Sequence, residues 1–563
     1  MGVSKLKGGI ILDERATTKM FCFQCEQTAK GTGCTIQGVC GKTAEVANLQ
    51  DLLIYQLKGI ASYQKHLMDL GEKLETETIE FVEDSLFITL TNVNFDPEEH
   101  YLQLKKSQEL KDRLEKKLGR VLPIPEASYR LSETKEEILE DTTRARIFFD
   151  DALDEDIRSL RETIKLGLKG ISAYAHQARF LGYENEEVSK NVIELLEALT
   201  DDSLSLDDYV AEMLKAGETS YKIMETLDQA NNETYEAPTP HKVNVHVKKG
   251  PFIVISGHDL RDLEMLLQQT EGKGVNIYTH GEMIPSHGYG GLKKYPHLVG
   301  NYGGAWQNQQ KEFSDLPGCI LMTTNCLMRP MKSYEDRIYT TNVVGFEGIR
   351  HVKKNPDGTK DFSEIIEQAI KLGGFPEDEP VKEILVGFGH KTTLSYADKI
   401  LEAVKNGEIS HFFVIGGCDG AKPDRDYYTK FALGVPKDAI ILTLACGKYR
   451  FNKLDFGEVA GLPRLLDVGQ CNDSYSAIRI AAGLAEKLKV TVNDLPLSLI
   501  ITWYEQKAVA DLLALLYVGV LGIRLGPTLP AFVTPNILAF LMKEYRLQPI
   551  TTPEKDLQDL LGS

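Results

Sequence analysis

The sequence has no run of 18 or more apolar residues, and therefore no candidate transmembrane helix. The longest apolar stretch, residues 512–523, is bounded by Asp511 and Arg524 and is too short to span a bilayer. The N-terminus also lacks a secretory hydrophobic segment, since only residues 10–12 are apolar before Asp13. These absences predict a cytoplasmic protein that has no membrane partner.

An excess of basic residues is lacking as well. The chain has 64 Lys and Arg against 82 Asp and Glu, which gives a formal net charge of −18. Because the phosphate backbone of nucleic acids calls for clustered Lys and Arg, we expect no nucleic-acid partner. A negative surface favours neutral or cationic small substrates over anionic ones at long range.

The cysteines do not form an obvious disulfide framework. Their number is nine, which is odd, and the chain of 563 residues is long enough to bury a normal core without disulfides. In a protein without an export signal, clustered thiols usually hold metal. The cysteine content therefore predicts metal binding in a reducing compartment.

The first part of the chain is predicted to be helical and internally repeated. Residues 46–70 and 156–181 both carry apolar side chains at the spacing of one helix face. The tetrapeptide Leu-Lys-Gly-Ile at residues 57–60 recurs at residues 168–171, and each copy is followed by a tyrosine and a Leu-Gly pair at the same offsets. We interpret this echo as a duplicated helical bundle, although two amphipathic helices can also resemble each other by chance.

Beyond Pro238-Thr239-Pro240, strand patterns alternate with helix patterns, which predicts parallel sheets. The predicted strands are residues 252–256, 275–279 and 319–324 in one stretch and 384–387, 412–415, 439–444, 465–468 and 497–502 in a second. The fold class is thus multidomain α and α/β. The predicted parts are an N-terminal extension (1–19), a duplicated helical-bundle domain (20–237) and two Rossmann-like α/β domains (238–378 and 379–563).

Four cysteines lie within residues 22–40 and form what we call the first cysteine cluster: Cys22, Cys25, Cys34 and Cys40. Thiolates at this spacing can surround one tetrahedral ion or one cubane. A structural zinc ribbon usually has two CxxC pairs, whereas only one occurs here. The neighbouring glycines allow backbone N–H groups to approach sulfur, which suits an iron–sulfur cluster better than zinc.

A second set of residues follows the carboxyl ends of predicted strands, the edge at which sites assemble in parallel sheets. Each member alone has an ordinary explanation: a turn histidine, a solvated acid or a packing cysteine. Taken together they predict a single site. Its members, which we call the mixed-ligand site, are His258, Glu282, Cys326, Cys418, Cys446, Cys471, Glu505 and Lys507. Cys319 begins its strand and is assigned to the core.

The mixed-ligand site combines soft thiolates with imidazole and carboxylate groups. Such a set suits iron that is bridged by both sulfide and oxide, with labile carboxylates leaving a position for substrate. Lys507 can bind metal only as a neutral amine. Otherwise it donates a proton or pairs with Glu505.

Eight motifs, in order, resemble those of the hybrid cluster protein (prismane) family, across residues 20–560. They are Phe21-Cys22-Phe23-Gln24-Cys25-Glu26-Gln27-Thr28, Ser256-Gly257-His258-Asp259-Leu260, His280-Gly281-Glu282-Met283, Thr323-Thr324-Asn325-Cys326, Gly417-Cys418-Asp419-Gly420, Cys446-Gly447-Lys448-Tyr449-Arg450, Gln470-Cys471-Asn472-Asp473-Ser474-Tyr475 and Trp503-Tyr504-Glu505-Gln506-Lys507.

The resemblance implies a helical domain, two α/β domains and two cofactors. A [4Fe-4S] cluster would be held by the first cysteine cluster, whose spacing is similar to that of the cubane-bearing class. A hybrid [4Fe-2O-2S] cluster at the domain interface would be held by the mixed-ligand site, and the cysteine at the position of Cys418 can be a persulfide.

The resemblance also implies reduction of hydroxylamine to ammonia and water, a response to nitrosative stress. Electrons would come from a small donor protein or reductase through the [4Fe-4S] cluster, and Glu282, Glu505, Lys507 and His258 would be catalytic. Reduction of nitric oxide to nitrous oxide is the alternative. We expect a monomer. Other readings are a carbon monoxide dehydrogenase-like enzyme, for which no nickel-type motif is apparent, a nitric oxide sensor, and a zinc-stabilised structural protein.

Overall fold

The computed structural model describes residues 19–145 and 153–562. Of the predicted extension at residues 1–19, all but the last residue lies outside the described residues. The described chain begins with a loop that carries the first cysteine cluster. Helices then follow up to residue 235. They are α1 (Ala44–Asp69), α2 (Thr76–Ile88), α3 (Pro97–Leu118), α4 (Pro125–Ser128), α5 (Lys135–Asp141), α6 (Glu155–Phe180), α7 (Glu186–Ala198) and α8 (Leu206–Tyr235).

The order and lengths of the helices agree with the predicted duplication. Helices α1 and α6 both have 26 residues, and the helices that follow them, α2 and α7, both have 13. Each copy then continues into a long third helix, α3 or α8. The starts are set by side-chain caps, because Thr43 and Asp154 accept backbone N–H groups of the first turns of α1 and α6.

The first α/β part contains one six-stranded parallel sheet. Its order is β4-β3-β2-β5-β6-β7, and every pairing in it is parallel. The strands are β2 (Phe252–Ser256), β3 (Asn276–His280), β4 (Leu298–Asn301), β5 (Cys319–Met322), β6 (Ile338–Thr341) and β7 (Arg350–Val352), and they are preceded by β1 (His241–Asn244). The helices are α9 (Leu260–Thr270), α10 (Gly290–Lys293), α11 (Gln309–Phe313) and α12 (Ser363–Leu372).

The second α/β part contains another six-stranded parallel sheet, in the order β13-β10-β9-β14-β15-β16. The strands of this part are β8 (Glu383–Val386), β9 (His411–Gly417), β10 (Ala439–Leu444), β11 (Glu458–Val459), β12 (Leu462–Pro463), β13 (Leu465–Gly469), β14 (Leu497–Thr502), β15 (Arg524–Gly526) and β16 (Gln548–Pro549). The helices are α13 (His390–Ser395), α14 (Ala397–Lys405), α15 (Asp426–Gly434), α16 (Ser474–Leu488), α17 (Gln506–Tyr517), α18 (Pro535–Glu544) and α19 (Pro553–Leu561).

One predicted strand has a different partner from the one expected. Strand β8, predicted at residues 384–387 as the start of the second α/β stretch, does not join the second sheet. It pairs antiparallel with β1, and Val243 faces Ile384 in the register. The chain segments on either side of the first α/β part are therefore joined by a small separate sheet. The domain limits at 237/238 and 378/379 remain our proposal.

The helical part packs directly against the second α/β part. Helix α17 lies against α6 and α8, and an apolar cluster extends from Leu57 and Ile171 to Leu513. Close approach is possible because Gly170 lacks a Cβ. A Cβ at this position would lie 2.6 Å from the carbonyl oxygen of Gln506 and 2.9 Å from Cα of Lys507. Gly170, the glycine of the repeated Leu-Lys-Gly-Ile motif, therefore allows the first turn of α17, which carries Lys507, to pack closely against α6.

In the part of the chain that the structure describes, no helix has the length and apolarity needed to cross a bilayer.

Replacing Gly170 by alanine should lower the free energy of unfolding by about 1–3 kcal/mol, because the added methyl group overlaps backbone atoms of α17 that cannot move independently. Gly167→Ala is the matched control on the same helix. Its Cβ would approach only Cδ1 of Leu513, at 2.7 Å, which can rotate away. Since alanine also favours helix, the control should be as stable as the wild type or more stable. Urea unfolding followed by circular dichroism measures both, and equal midpoints for the two variants would contradict this account.

Candidate metal centres

The structure brings all eight members of the mixed-ligand site to one cavity. Each follows the carboxyl end of a parallel strand in one of the two large sheets, as predicted, and all are buried. Trp306, Asp419, Ala445 and Tyr504 complete the lining. Three of the predicted ligands, His258, Glu282 and Cys471, have donor atoms within 4.8 Å of one another. The geometry therefore joins side chains from both sheets around one space.

Residues with positive φ lie in several of the loops that bring the site side chains to the cavity. Gly257 has φ of 122° and Gly417 has φ of 110°, and each directly precedes a site residue. At Gly417 only glycine fits, since a Cβ would lie 2.0 Å from the carbonyl oxygen of Thr502. Ala445 (φ 60°) and Cys326 (φ 73°) adopt the same region without being glycine, which costs conformational energy.

His258 is oriented by hydrogen bonds on both ring nitrogens. Its Nε2 lies 2.8 Å from Nζ of Lys507, and its Nδ1 lies 2.8 Å from Oγ1 of Thr324. Because Lys507 donates to Nε2, the ring proton is assigned to Nδ1, which donates to Thr324. This arrangement leaves Nε2 as the nitrogen that faces the cavity, and it matches the way proteins hold a metal-binding histidine.

Both carboxylates accept a backbone N–H, but only Glu282 has an oxygen without a hydrogen-bond partner among the described residues. Oε2 of Glu282 accepts the backbone N–H of Cys471 at 2.9 Å, whereas its Oε1 is buried without a hydrogen-bond partner among the described residues. Glu505 is the N-cap of α17, and its Oε2 accepts the N–H of Lys507 at 2.9 Å. An unpartnered buried carboxylate oxygen is costly, so Glu282 fits a site that is completed by a cation.

Burial dominates the electrostatics of the mixed-ligand site. It raises the pKa of the Cys326, Cys418 and Cys446 thiols well above the ordinary value. It also raises the pKa of Glu282 and Glu505, although Lys507 opposes this shift. Without a cation, these buried thiols and carboxyl groups resist ionisation. A bound metal assembly would reverse this, because its positive charge stabilises the thiolate and carboxylate forms.

His258 and Lys507 differ in charge. Burial, followed by repulsion from Lys507, lowers the pKa of His258 well below its ordinary value, so the imidazole is neutral. Burial alone would lower the pKa of Lys507, but the neighbouring Cys471 and Glu505 raise it above the ordinary value. Lys507 donates to His258 and to Oδ1 of Asn325, the latter at 2.9 Å. Of the three roles that the sequence left open for Lys507, namely metal ligand, proton donor and ion-pair partner of Glu505, these contacts favour the proton donor.

Several residues of the site were not singled out from the sequence. Asn325 donates to Oε1 of Glu505 at 3.2 Å while it accepts from Lys507. Nε2 of Gln470 donates to the backbone carbonyls of His258 (3.1 Å) and Glu282 (2.7 Å). Both residues directly precede a predicted ligand and stand in motifs that resemble the family, but neither was predicted to have a role.

The first cysteine cluster lies in the loop before α1. Cys22 and Cys34 exchange backbone hydrogen bonds of 3.0 and 2.8 Å, and the N–H of Ala29 lies 3.4 Å from Sγ of Cys34. Burial raises the pKa of Cys25 well above its ordinary value, and the nearby Cys40, Cys22 and Cys34 raise it further. The backbone N–H groups of Gln24, Gln27 and Lys42 oppose the shifts at Cys22, Cys25 and Cys40, respectively. Four thiols that are close enough to shift one another's pKa, with backbone N–H groups beside the sulfur atoms, fit an anionic cluster.

Cys319 takes no part in either group. It lies in β5 with no exposed surface, and its thiol is 3.6 Å from Oε1 of Gln368. Its surroundings agree with the assignment to the core.

Known proteins are similar to this chain over nearly its whole length. A hydroxylamine reductase of Syntrophobacter fumaroxidans is 52% identical over 548 residues, which cover 96% of this chain and 100% of the relative. A hydroxylamine reductase of Methanocella arvoryzae is 50% identical over 549 residues, with the same coverage of 96% and 100%.

Solved structures share the fold at much lower identity. A carbon monoxide dehydrogenase of Thermococcus sp. AM4 superposes with a TM-score of 0.55 at 16% identity and covers 96% of this chain and 90% of its own. Carbon monoxide dehydrogenase IV of Carboxydothermus hydrogenoformans also has a TM-score of 0.55, at 15% identity, and covers 99% and 93%. The sequence model described as the Prismane/CO dehydrogenase family matches residues 20–558, and this chain therefore belongs to that family.

Proposed function

We propose that this protein is an iron–sulfur oxidoreductase that reduces hydroxylamine to ammonia and water. The observation that carries the proposal is the convergence of four thiols, two carboxylates, an imidazole and an ammonium group on one buried cavity. The hydroxylamine reductases that share about half of their residues with this chain support the same reaction.

We assign two cofactors to the protein. A [4Fe-4S] cluster would be held by Cys22, Cys25, Cys34 and Cys40, and a hybrid [4Fe-2O-2S] cluster by the mixed-ligand site, in which Lys507 would donate protons and the other seven members would be the ligands. The donor chemistry supports this division, because the first set offers thiolates alone whereas the second adds nitrogen and oxygen donors. The cysteine that would carry a persulfide is Cys418.

The reaction consumes two electrons and two protons for each hydroxylamine: NH₂OH + 2e⁻ + 2H⁺ gives NH₃ and H₂O. The bound hybrid cluster would supply the electrons and a coordination position for the substrate. The protein must deliver protons into a cavity from which it excludes water. Nζ of Lys507 is suited to this role, because the ammonium is fully buried, remains protonated and is 2.8 Å from the neutral ring of His258.

Glu505 would restore the proton on Lys507. Its Oε1 is 3.9 Å from Nζ of Lys507, and burial raises its pKa toward the range in which a carboxyl group can carry a proton. Asn325 holds both side chains in this arrangement through its amide. We further propose a small electron-donor protein or reductase as partner, and a monomeric enzyme.

A second candidate reaction is reduction of nitric oxide to nitrous oxide, in which 2NO + 2e⁻ + 2H⁺ gives N₂O and H₂O. A largely apolar cavity of about 240 Å³ lies between α16, α17 and the second sheet. Its wall includes Gly417 and Ala508, which are the chain neighbours of Cys418 and Lys507. An apolar cavity of this kind suits a small diatomic molecule better than the strongly hydrogen-bonding hydroxylamine.

Glu282→Gln should abolish hydroxylamine turnover while the electron paramagnetic resonance signal of the first cluster remains. The amide keeps the size of the side chain but is a poor ligand, and nothing in the first cysteine cluster changes. Turnover is measured with a chemical reductant on anaerobically purified protein, together with iron and acid-labile sulfide analysis.

Glu264→Gln serves as a control for that substitution, since Glu264 pairs with Arg261 at the surface of α9. Full turnover by Glu282→Gln would remove Glu282 from the mechanism. A wild-type protein that holds iron and sulfide but turns over no hydroxylamine would contradict the enzyme assignment and favour a sensor. Zinc in place of iron would contradict the redox assignment altogether.

Ala482→Phe should slow nitric oxide consumption severalfold and leave hydroxylamine turnover unchanged, if nitric oxide enters through the apolar cavity that Ala482 lines. Ala482→Ser keeps the cavity open and is the matched control. A nitric oxide electrode and gas chromatography of nitrous oxide measure the first reaction, and ammonia formation measures the second. Equal loss of both reactions, or loss of neither, would contradict a separate apolar route.

A further inference from the structure

The loops of the two proposed metal sites are hydrogen-bonded to each other. The backbone N–H of Glu26, the residue after Cys25, donates to the carbonyl oxygen of Tyr504, the residue before Glu505, at 2.9 Å. A path of two residues and one hydrogen bond thus leads from a ligand of the first cysteine cluster to a ligand of the mixed-ligand site.

The side chain of Glu26 makes a second connection. It has no exposed surface, and its two oxygens accept from Nη2 of Arg425 at 2.8 Å and from Nζ of Lys422 at 2.7 Å. Oγ1 of Thr528 donates to it as well, at 3.2 Å. Both oxygens of the carboxylate therefore have hydrogen-bond partners inside the protein.

Arg425 extends this connection to the mixed-ligand site. The guanidinium is completely buried, and its Nη1 donates to the carbonyl oxygen of Cys418 at 3.2 Å and to Oγ1 of Thr502 at 2.7 Å. Its Nη2, which binds Glu26, also donates to the carbonyl oxygen of Trp503 at 2.9 Å. One planar group thus holds the loop after Cys25, the loop of Cys418 and the end of β14.

Stability alone is a weak reason for such an arrangement. Desolvation of two charges often costs more than their attraction returns, so that apolar replacements of buried pairs can be neutral or stabilising. Unlike an apolar group, the guanidinium carries several N–H donors in one rigid plane. That property is used here on backbone carbonyls of the loops that carry proposed ligands.

We propose that Glu26 and Arg425 are positioning residues that fix the first cysteine cluster relative to the mixed-ligand site, so that electrons pass between them along the Glu26–Tyr504 hydrogen bond. The role of this pair in electron delivery rests on the proposed function. The pair also balances charge between the sites. Removal of either partner changes the net charge between the sites by one unit, although Lys422 stays beside Glu26 and Asp419 beside Arg425, and this change acts on the reduction of both clusters.

The two removals should have opposite effects. Glu26→Gln leaves the cation and favours reduction, whereas Arg425→Met leaves the anion and disfavours it. In a medium of effective dielectric about 20, a change of one unit in net charge at a separation of about 10 Å changes such an equilibrium by about tenfold. We therefore expect the ratio of reduced to oxidised first cluster, at a fixed applied potential, to change by about tenfold upward in Glu26→Gln and downward in Arg425→Met.

Arg425→Lys distinguishes the effect of the positive charge from the effect of positioning the loops. It keeps the positive charge but cannot bind Glu26 and the carbonyls of Cys418 and Trp503 together. We expect its reduction ratios to be close to those of the wild type, while electron transfer from the first to the second cluster is slower. Arg524→Met is the matched control, because Arg524 forms a buried pair with Asp556 at 2.8 Å that touches neither site.

The experiment is a potentiometric titration of the holoprotein, monitored by electron paramagnetic resonance, with rapid freeze-quench measurement of transfer between the clusters. Opposite shifts in Glu26→Gln and Arg425→Met, slower transfer in Arg425→Lys and no change in Arg524→Met support the proposal. Wild-type ratios and transfer rates in the variants that bind full iron, or shifts of the same sign, overturn it. Glu26→Gln is isosteric, so it keeps the test decisive if Arg425→Met does not fold. No substrate is used, so a failure to reduce hydroxylamine would contradict the proposed function and leave this result standing.

Discussion

The desolvation of ionisable groups around one cavity is the constraint that the rest of the structure must satisfy. Thiols, carboxylates, an imidazole and an ammonium group are all removed from water there, and each would cost free energy if it were left unpaired. Part of that cost is offset by the protein, through backbone N–H groups at Glu282 and Glu505 and the amide of Asn325. The remainder, above all the unpartnered oxygen of Glu282, is left for a bound cation to compensate.

The parallel sheets determine where this cavity can form. Carboxyl ends of neighbouring strands meet at one edge, so residues that are distant in sequence become neighbours without long loops. Two such edges face each other here, one from each α/β part, and glycine or a strained left-handed residue turns the chain toward the cavity. The small sheet of β1 and β8 ties the segments that flank the first of these parts.

The two copies of the helical repeat make different contacts, and only one of them supports the mixed-ligand site. Gly59 and Gly170 occupy equivalent positions, but the first packs against the backbone of Glu126 and the second against the first turn of α17. The preceding lysines differ in the same way, since Lys58 pairs with Glu126 at 2.7 Å whereas Lys169 binds the amide oxygen of Gln24 at 2.7 Å. Only the second copy therefore holds the helix that begins with the catalytic candidates.

The sequence by itself determined the α and α/β organisation and the strands that lead to the site, because helix and strand periodicity are local properties. It did not reveal the outer strands β4, β6, β7, β15 and β16 of the two sheets. Strands β2, β10 and β14 begin and end at the residues predicted, and the predicted ligands follow their strands as expected. The sequence also predicted that the eight members of the mixed-ligand site meet, but tertiary structure alone decided the contacts around them. The pairing of β8 with β1, the amide of Gln470 between two ligand loops and the pair of Glu26 with Arg425 join residues up to 399 positions apart. Such contacts depend on how the sheets and the helical part pack against each other. No local sequence pattern indicates that residues so far apart in the chain will be neighbours.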